Sequence, residues 1–575
     1  MLKLYRFLKP FRITIAAVIL LVFVQTLSEL YLPTLMSDIV DTGIVKGDIS
    51  YIIRIGTLML LIAAGGTVCS ILVSYLSAKT SVGFGRLLRS KVFSRVEDFS
   101  LQEFNRFGTA TLITRTTNDI NQIQTVTFMI LRMMVSAPVM CIGGILMALS
   151  KDKTLSMIFL VSVPVIAAVI FIIMNKAIPL FKLMQVKLDR LNLVLRENLT
   201  GIRVIRAFDR TDQEYQRFTA ANADLANNAI KVNKLMAAMM PGMMLVMNFT
   251  IIAIIWFGSI RINNGGMQVG SLMAFIQYAM QIMIALIMMS MMFIMVPRAS
   301  AAAVRIDEVL QTLPEIKDAR ETKPQPINKG YLQFKDVSFR FPGAEQPALH
   351  NITFSAGPGE ITAIIGGTGS GKTTLINLIP RFYDVEQGAV LIDGADVREI
   401  SQEDLRSEIG LVPQSAVLFT GTVAENIRYG KTEASIDEVY KAAQTAQALE
   451  FISEMPDDFD SVIEQGGINL SGGQKQRLSI ARALVRKPRI YIFDDSFSAL
   501  DFKTDARLRE ALKNETLEST VLMIAQRVTT VMDADRIIVL EDGQIAGMGC
   551  HKELLASCEI YREIVYSQLS EEELA

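Results

Sequence analysis

The chain has 575 residues, enough for two to four domains with cores of their own, and 51% of them are hydrophobic. Lysine and arginine number 57 against 58 acidic residues, a balance that argues against a nucleic-acid partner, which requires a basic excess. The four cysteines, Cys69, Cys141, Cys550 and Cys558, show no metal-binding or redox spacing, so neither a disulfide framework nor a thiolate metal site is expected.

Composition changes near residue 310. Before it lie apolar runs around 13–33, 55–78, 127–149, 155–174, 243–260 and 269–296. Each has about the 20 residues that a helix needs to cross roughly 30 Å of hydrocarbon. The first continues through Glu29, Tyr31 and Pro33 without a small-residue cleavage site, so it reads as a span and not as a removed signal peptide. Lys3, Arg6, Lys9 and Arg12 precede it. The segments 41–54, 150–154 and 261–268 are short and poor in basic residues, whereas 79–126 and 175–240 are long and carry Lys79, Arg86, Arg89, Lys91 and Arg95, then Arg203, Arg206, Arg210 and Arg217. By the positive-inside rule both long segments and both termini are expected in the cytoplasm.

The long segments keep a helical period, as in Leu191, Val194, Leu195, Asn198 and Ile202, so the spans are expected to run on beyond the bilayer. Breaks fall near Phe104–Gly108 and Gly201–Phe208. Periodicity alone leaves two readings of these breaks, transverse helices that contact another domain or solvated hairpins.

Methionines cluster at 239, 240, 243, 244 and 247, and again at 280, 283, 288, 289, 291, 292 and 295. Flexible thioethers suit a surface that accepts varied apolar ligands, and they equally suit lipid-facing filler. Glu29, Gln277 and Gln281 are costly in hydrocarbon and are expected to face the bundle interior or water. Asp38 and Asp41, near the outer end of the first span, fit either an external gate or a solvated helix end.

After a linker with Pro314, Pro324 and Pro326, the texture from Tyr331 onward alternates strand-like and helical stretches, which predicts a largely parallel sheet flanked by helices. The division expected is therefore a membrane domain over 1–310, a linker over 311–330 and a soluble α/β domain over 331–575.

Gly366-Gly367-Thr368-Gly369-Ser370-Gly371-Lys372-Thr373 fits the P-loop pattern, follows the strand-like Ile361–Ile365, and, with Thr374 next to it, opens a helix through Leu375 and Ile376. Glycines let backbone N–H groups curl around phosphate oxygens, Lys372 reaches the β- and γ-phosphates, and the Thr373 hydroxyl ligates Mg²⁺. The strand-like Ile490–Phe493 delivers Asp494, expected to hold Mg²⁺ through water, and then Asp495, where a general base would orient the attacking water.

Between these motifs lies Leu470-Ser471-Gly472-Gly473-Gln474. With it the chain resembles the ATP-binding cassette (ABC) exporters over essentially its whole length: a six-span, type IV exporter-like membrane domain followed by a P-loop nucleotide-binding domain. The resemblance implies ATP and Mg²⁺ as cofactors, a second half-transporter as partner, and a multi-pass plasma-membrane location. It casts Phe104–Phe107, with Thr114, Arg115 and Asp119, and Gly201–Phe208 as coupling regions. Phe341 stands where the family stacks an aromatic on adenine, Gln414 at the Q-loop that contacts Mg²⁺ and the attacking water, and Ser498–Asp501 at the D-loop. Glu464 takes the place of the X-loop glutamate, while Ser471, Gly472, Gly473 and Gln474 form the signature.

Two positions depart from that family. The residue after Asp494 is Asp495 in place of glutamate, and the switch histidine is Gln526. Losing one methylene withdraws a carboxylate by roughly 1.5 Å, and misplacement of about 1 Å can cost a hundredfold in rate. Glutamine cannot become a cation or shuttle a proton as histidine can. Of the two histidines, His350 precedes the P-loop and His551 fits a C-terminal pattern of exporters. The combination resembles the degenerate-site subunit of bacterial heterodimeric multidrug exporters and implies an ATPase whose own hydrolytic site is impaired. Neutral drift within an active enzyme, a lipid or peptide exporter, and a nucleotide-gated subunit that does not pump are the alternatives.

Overall fold

In the computed structural model, residues 3–318 and 327–569 are described, together with all side chains among them except those of Met291, Phe293 and Ile294. The expected linker residues Pro324 and Pro326 therefore lie outside the described residues. The chain forms two compact units, one of Met1–Asp98 with Phe107–Leu313, the other of Phe99–Arg106 with Pro314–Ala575.

Six helical segments of the first unit are long and apolar enough to cross a membrane: Leu4–Ile44, Ile49–Glu97, Thr109–Lys151, Met157–Thr200, Thr211–Asn263 and Val269–Gln311. The 49 uninterrupted residues of Ile49–Glu97 make a helix about 73 Å long, more than twice the hydrocarbon thickness. Short helices interrupt the chain at Leu101–Phe107 and Ile202–Ala207. Gly108, at φ 74°, makes the turn between the first of these and the third span, a conformation with almost no penalty for glycine alone.

Polar groups at span ends are matched by residues from other spans. The first four N–H groups of a helix have no partner inside it. Asp41, just beyond the first span, accepts from Gly270 N at 2.6 Å and Ser271 N at 3.1 Å, and so caps the sixth. Asp38 lies 3.7 Å from Lys151, at the end of the third span. Neither aspartate is a free solvated helix end. Asp152 caps its own turn through Leu155 N at 2.8 Å and takes a two-pronged contact from Arg261, at 2.8 and 3.2 Å.

A second set of charges joins the third and sixth spans. Arg115 donates to Glu308 at 2.8 Å and to the Arg305 carbonyl at 3.0 Å, with its guanidinium over the Phe107 ring. Arg305 grips the buried Asp119 through Nε at 2.8 Å. The third-span members of these contacts, the donor Arg115 and the acceptor Asp119, lie at the two ends of the stretch Arg115–Asp119, where that span departs from α-helical winding.

The methionine clusters divide. Met239, Met243 and Met283 are buried in one apolar cluster with Ile166, so they fill space between the fourth, fifth and sixth spans. Met240, Met244 and Met280 are exposed in the chain, and the side chain of Met291 lies outside the described residues.

The second unit contains the expected parallel sheet, with strands in the order Gln544–Gly549, Arg536–Glu541, Ile361–Gly366, Thr520–Ile524, Ile490–Asp494, Ile409–Val412. The pairings are parallel except at the first edge. The sequence reading missed a separate antiparallel sheet formed by Leu349–Ala356, Leu332–Phe339, Gln387–Ile392 and Ala395–Asp396. Its inner face and the helix Lys372–Leu378 share a core that includes Phe334, Phe354, Leu375 and Ile376. The carboxylate of Asp393 accepts four backbone N–H groups from residues 328–331, which anchors the start of the domain. In the same unit Glu103 is a second anchor. Its carboxylate caps Ser100 at 2.8 Å and accepts Glu315 N at 3.2 Å across 212 residues.

The Asp119–Arg305 pair yields a prediction. Arg305→Met leaves a carboxylate that is only 4% exposed without its cation, at a cost on the order of 2 kcal/mol given the exposure of the arginine itself. The double variant Asp119→Leu/Arg305→Met should recover most of that loss. Thermal unfolding of the full chain in detergent checks it; a double variant no more stable than the single one would show that the pair is not what matters.

Candidate nucleotide-binding and hydrolysis site

The site is assembled at the carboxyl ends of three adjacent parallel strands. Register aligns Ile364 with Ile524, and Ile524 with Asp494. The loop after Ile361–Gly366, the carboxylates ending Ile490–Asp494, and Gln526 after Thr520–Ile524 therefore emerge side by side. Phe341, Thr368, Gly369, Gly371, Lys372, Thr373, Thr374, Gln414, Asp494, Asp495 and Gln526 line one cavity of about 330 Å³. Ser370 is buried beneath the loop and accepts Gly543 N through its carbonyl at 3.2 Å.

Glycine is required at two points of this loop. A Cβ on Gly366 would collide with the Leu540 carbonyl, and Gly371 sits at φ 100° against Leu349 and Ala348. The Lys372 ammonium donates to the Gly366 carbonyl at 2.9 Å and the Gly367 carbonyl at 2.6 Å, so it is held over the loop. Burial pushes its pKa down, against the opposing pull of Asp495 and Asp494. The Thr373 hydroxyl lies 3.3 and 3.4 Å from the two Asp494 oxygens. Burial raises the pKa of Asp494, and the neighbouring Asp495 adds to the rise, while Thr373 and Lys372 oppose it.

Asp495 adopts φ 46°, a left-handed conformation that aspartate tolerates better than most side chains. Its Oδ2 accepts from Gln526 Nε2 at 3.0 Å and from Gln414 Nε2 at 3.3 Å. The acidic residue and the two glutamines that flank it thus form one hydrogen-bonded cluster. Burial raises the pKa of Asp495 above the usual carboxylate range, with the amide donors and Lys372 acting against it.

Ser471, Gly472, Gly473 and Gln474 do not line this cavity. They form the N-terminus of the helix Gly472–Leu484 in a capping box: Ser471 N donates to Gln474 Oε1 at 2.8 Å and Gln474 N to Ser471 Oγ at 3.3 Å. A Cβ on Gly473 would press on the Ala499 carbonyl at 3.1 Å, so the signature is packed against the segment Ser498–Asp501. The same helix reaches the Gln414 loop through Gln476 Nε2, 3.2 Å from the Pro413 carbonyl. Glu464 is exposed, and neither His350 nor His551 lines the cavity; His551 instead pairs with the Tyr561 hydroxyl at 2.7 Å.

Sequence reasoning missed Tyr383. It packs edge-on against Phe341 with ring centroids 5.5 Å apart, and its hydroxyl lies 3.5 Å from Asn105 Nδ2 in the first short helix. No motif marks it. Ser496, whose hydroxyl bonds the Val412 carbonyl at 3.1 Å, was missed for the same reason.

The raised carboxyl values carry a sign. A carboxyl whose folded pKa lies above its unfolded value favours the native state at low pH, and loses that advantage as pH rises through the folded value. At neutral pH an ionised Asp495 therefore weakens the nucleotide-free domain, and Asp495→Asn should raise its thermal midpoint. The gain over wild type should shrink as pH falls toward the ordinary carboxylate range, about 4. Midpoints of both proteins across pH, without nucleotide, check this; an equal gain at every pH would mean that charge is not its source.

Residues 15–297 match the ABC transporter transmembrane region family and residues 349–498 the ABC transporter family. The chain is 44% identical, over 98% of its length and 97% of the relative's, to an uncharacterized ABC transporter ATP-binding protein of Mycobacterium tuberculosis strain H37Rv. It is 31% identical, over 95% of its length and 94% of the relative's, to an ATP-dependent lipid A-core flippase of Chromobacterium violaceum. A solved structure of a bacterial Atm1-family ABC exporter with ATP bound superposes with a TM-score of 0.81 at 26% identity, covering 98% of this chain and 99% of that one. With six apolar helices preceding a P-loop domain whose loop, carboxylates and amides converge on one cavity, the chain belongs to the ABC transporters, as a multi-pass exporter protein that joins a membrane region to an ATP-binding domain.

Proposed function

We propose that the chain is one half of a heterodimeric exporter that uses ATP to expel apolar or amphipathic compounds, and that its own P-loop site hydrolyses ATP poorly. The observation that carries this reading is the Asp495 cluster. A carboxylate one methylene short of glutamate is held by amides of Gln526 and Gln414, both donors to the same oxygen, Oδ2, which draws down its capacity to accept a proton from water. The signature, by contrast, keeps an intact capped helix N-terminus with exposed Ser471 and Gly472. Such a chain has a sound signature to offer a partner and a weak catalytic base of its own.

Phe341 stacks on adenine, the backbone of Gly366–Gly371 cradles the phosphates, and Lys372 and Thr374 complete the cradle. Thr373 and Asp494, with Gln414 beside them, offer the all-oxygen set that Mg²⁺ takes. When bound, Mg²⁺ neutralises charge on the transferring phosphoryl group. Closure of two nucleotide-binding domains on ATP is transmitted through Leu101–Phe107 and Ile202–Ala207 to the spans, in an alternating-access cycle. Both termini and the ATP-binding domain face the cytoplasm, and the membrane is the plasma membrane. A lipid as cargo is the second reading, favoured by the similarity to the flippase.

The two half-sites can be separated by mutation. Ser471 acts in the partner's competent site, where loss of a donor to the phosphoryl group is worth a hundredfold or more. In the complex, Ser471→Arg should nearly abolish ATPase and transport, while Asp495→Asn should leave a large fraction of both. The chain alone should hydrolyse little, and Asp495→Glu/Gln526→His should raise that rate, by up to about a hundredfold. Steady-state ATPase at saturating ATP, with equal assembly confirmed, is the measurement. Equal damage from Asp495→Asn and Ser471→Arg would identify Asp495 as a working base and end the asymmetric reading.

A further inference from the structure

The membrane unit contains a cavity of about 610 Å³ between the first, third and sixth spans. That volume falls within the roughly 300–1,000 Å³ of small-molecule sites. Its wall includes Glu29 from the first span, Arg132 from the third, and Gln277 and Gln281 from the sixth; the apolar part includes Met140 and Met288.

Among the described residues neither charge has a counter-charge within ion-pair distance. Glu29 Oε1 accepts from Gln25 Nε2 at 2.9 Å, and no cation lies within 4.0 Å of it among the described residues. Arg132 makes no hydrogen bond or ion pair among the described residues. The two line one cavity and yet do not pair with each other. Ionisable groups within membrane spans are expensive and persist where a ligand, water or another charge compensates them.

Backbone features mark the same place. Pro33 has no N–H, so the carbonyl of Glu29, four residues earlier, loses its helical partner. Gln281 Nε2 of the sixth span supplies a replacement at 3.2 Å. That fixes the amide, and its Oε1 is left buried with no hydrogen-bond partner. On the wall that it forms, the third span takes π-helical winding over Ile130–Met134, the stretch that carries Arg132.

We propose that this cavity binds zwitterionic amphiphiles, with the cationic pole toward Glu29, the anionic pole toward Arg132 and the tail along the apolar wall. A ligand with only a positive head would meet Glu29 but leave Arg132 uncompensated, and one with only a negative head would do the reverse. A head group carrying both signs answers both poles. The assignment rests on the export reading and narrows its substrate class.

The test uses the complex as isolated from membranes, in dodecyl maltoside, whose uncharged head competes for neither pole. Three labelled probes share a twelve-carbon tail scale: dodecylphosphocholine, dodecyltrimethylammonium and dodecanoate. Wild type should bind the zwitterion most tightly. Glu29→Gln should weaken zwitterion and cation at least about tenfold and strengthen the anion, and Arg132→Gln should weaken zwitterion and anion and strengthen the cation. Arg132→Lys and Glu29→Asp, which keep the charges, should preserve the wild-type order. An unchanged order in both charge-removing variants, or an equal loss for all three probes, overturns the proposal. So does an effect confined to Arg132→Gln, which would indicate a plain anion site. Stimulation of ATPase by the same probes is followed in parallel. Charge-dependent binding without stimulation by any probe would retain the pocket assignment and defeat the export reading.

Discussion

Everything chemical in the ATP-binding domain depends on the parallel register of three strands. Ile361–Gly366 pairs with Thr520–Ile524, which pairs with Ile490–Asp494. Because strands in a parallel sheet point the same way, whatever follows each one emerges on the same edge. A loop of glycines at 366–371, a pair of aspartates at 494–495 and a glutamine at 526 meet there without further steering. The burial of all five residues of Ile490–Asp494 holds that register firmly, since a slip by one residue would exchange both faces of the strand.

Much of this was legible because the signals were local. Six runs long enough for a bilayer needed only composition, and the P-loop needed only glycine spacing between a strand and a helix. What stayed hidden was set by partners distant in sequence. Nothing about Asp41 announces that it caps a helix starting at Val269, and nothing about Arg115 or Asp119 points to Glu308 and Arg305. The antiparallel sheet was missed because its strand Leu332–Phe339 shifts register against both of its neighbours, which breaks the regular alternation that marks a strand. The methionines misled in part, since composition cannot tell a thioether in a helix–helix core, as at Met283, from one on a cavity wall, as at Met288.

The two departures from the exporter pattern are physically coupled, which strings of motifs do not reveal. Gln526 and Asp495 share a hydrogen bond, so each residue fixes the other's orientation. Gln526 is held in turn from behind, its carbonyl accepting Gln568 Nε2 at 2.8 Å. Restoring only one of the two family residues would leave the other's bonding arrangement in place. For that reason the two substitutions are best treated as a single unit of design.

Glu103 carries a consequence for how the protein is made. Its carboxylate, 6% exposed, binds the backbone of Glu315, 212 residues further along, and so clasps the two ends of the chain segment that contains the last four spans. At synthesis rates of about 5–20 residues per second, the second half of this clasp leaves the ribosome on the order of 10–40 s after the first. Throughout that interval the short helix Leu101–Phe107 has been made and the residues that bury its acid have not. The first of the two short helices therefore reaches its final setting late in biogenesis, after every span has been synthesised, and a truncation before Pro314 would strand it with a charge built for the interior.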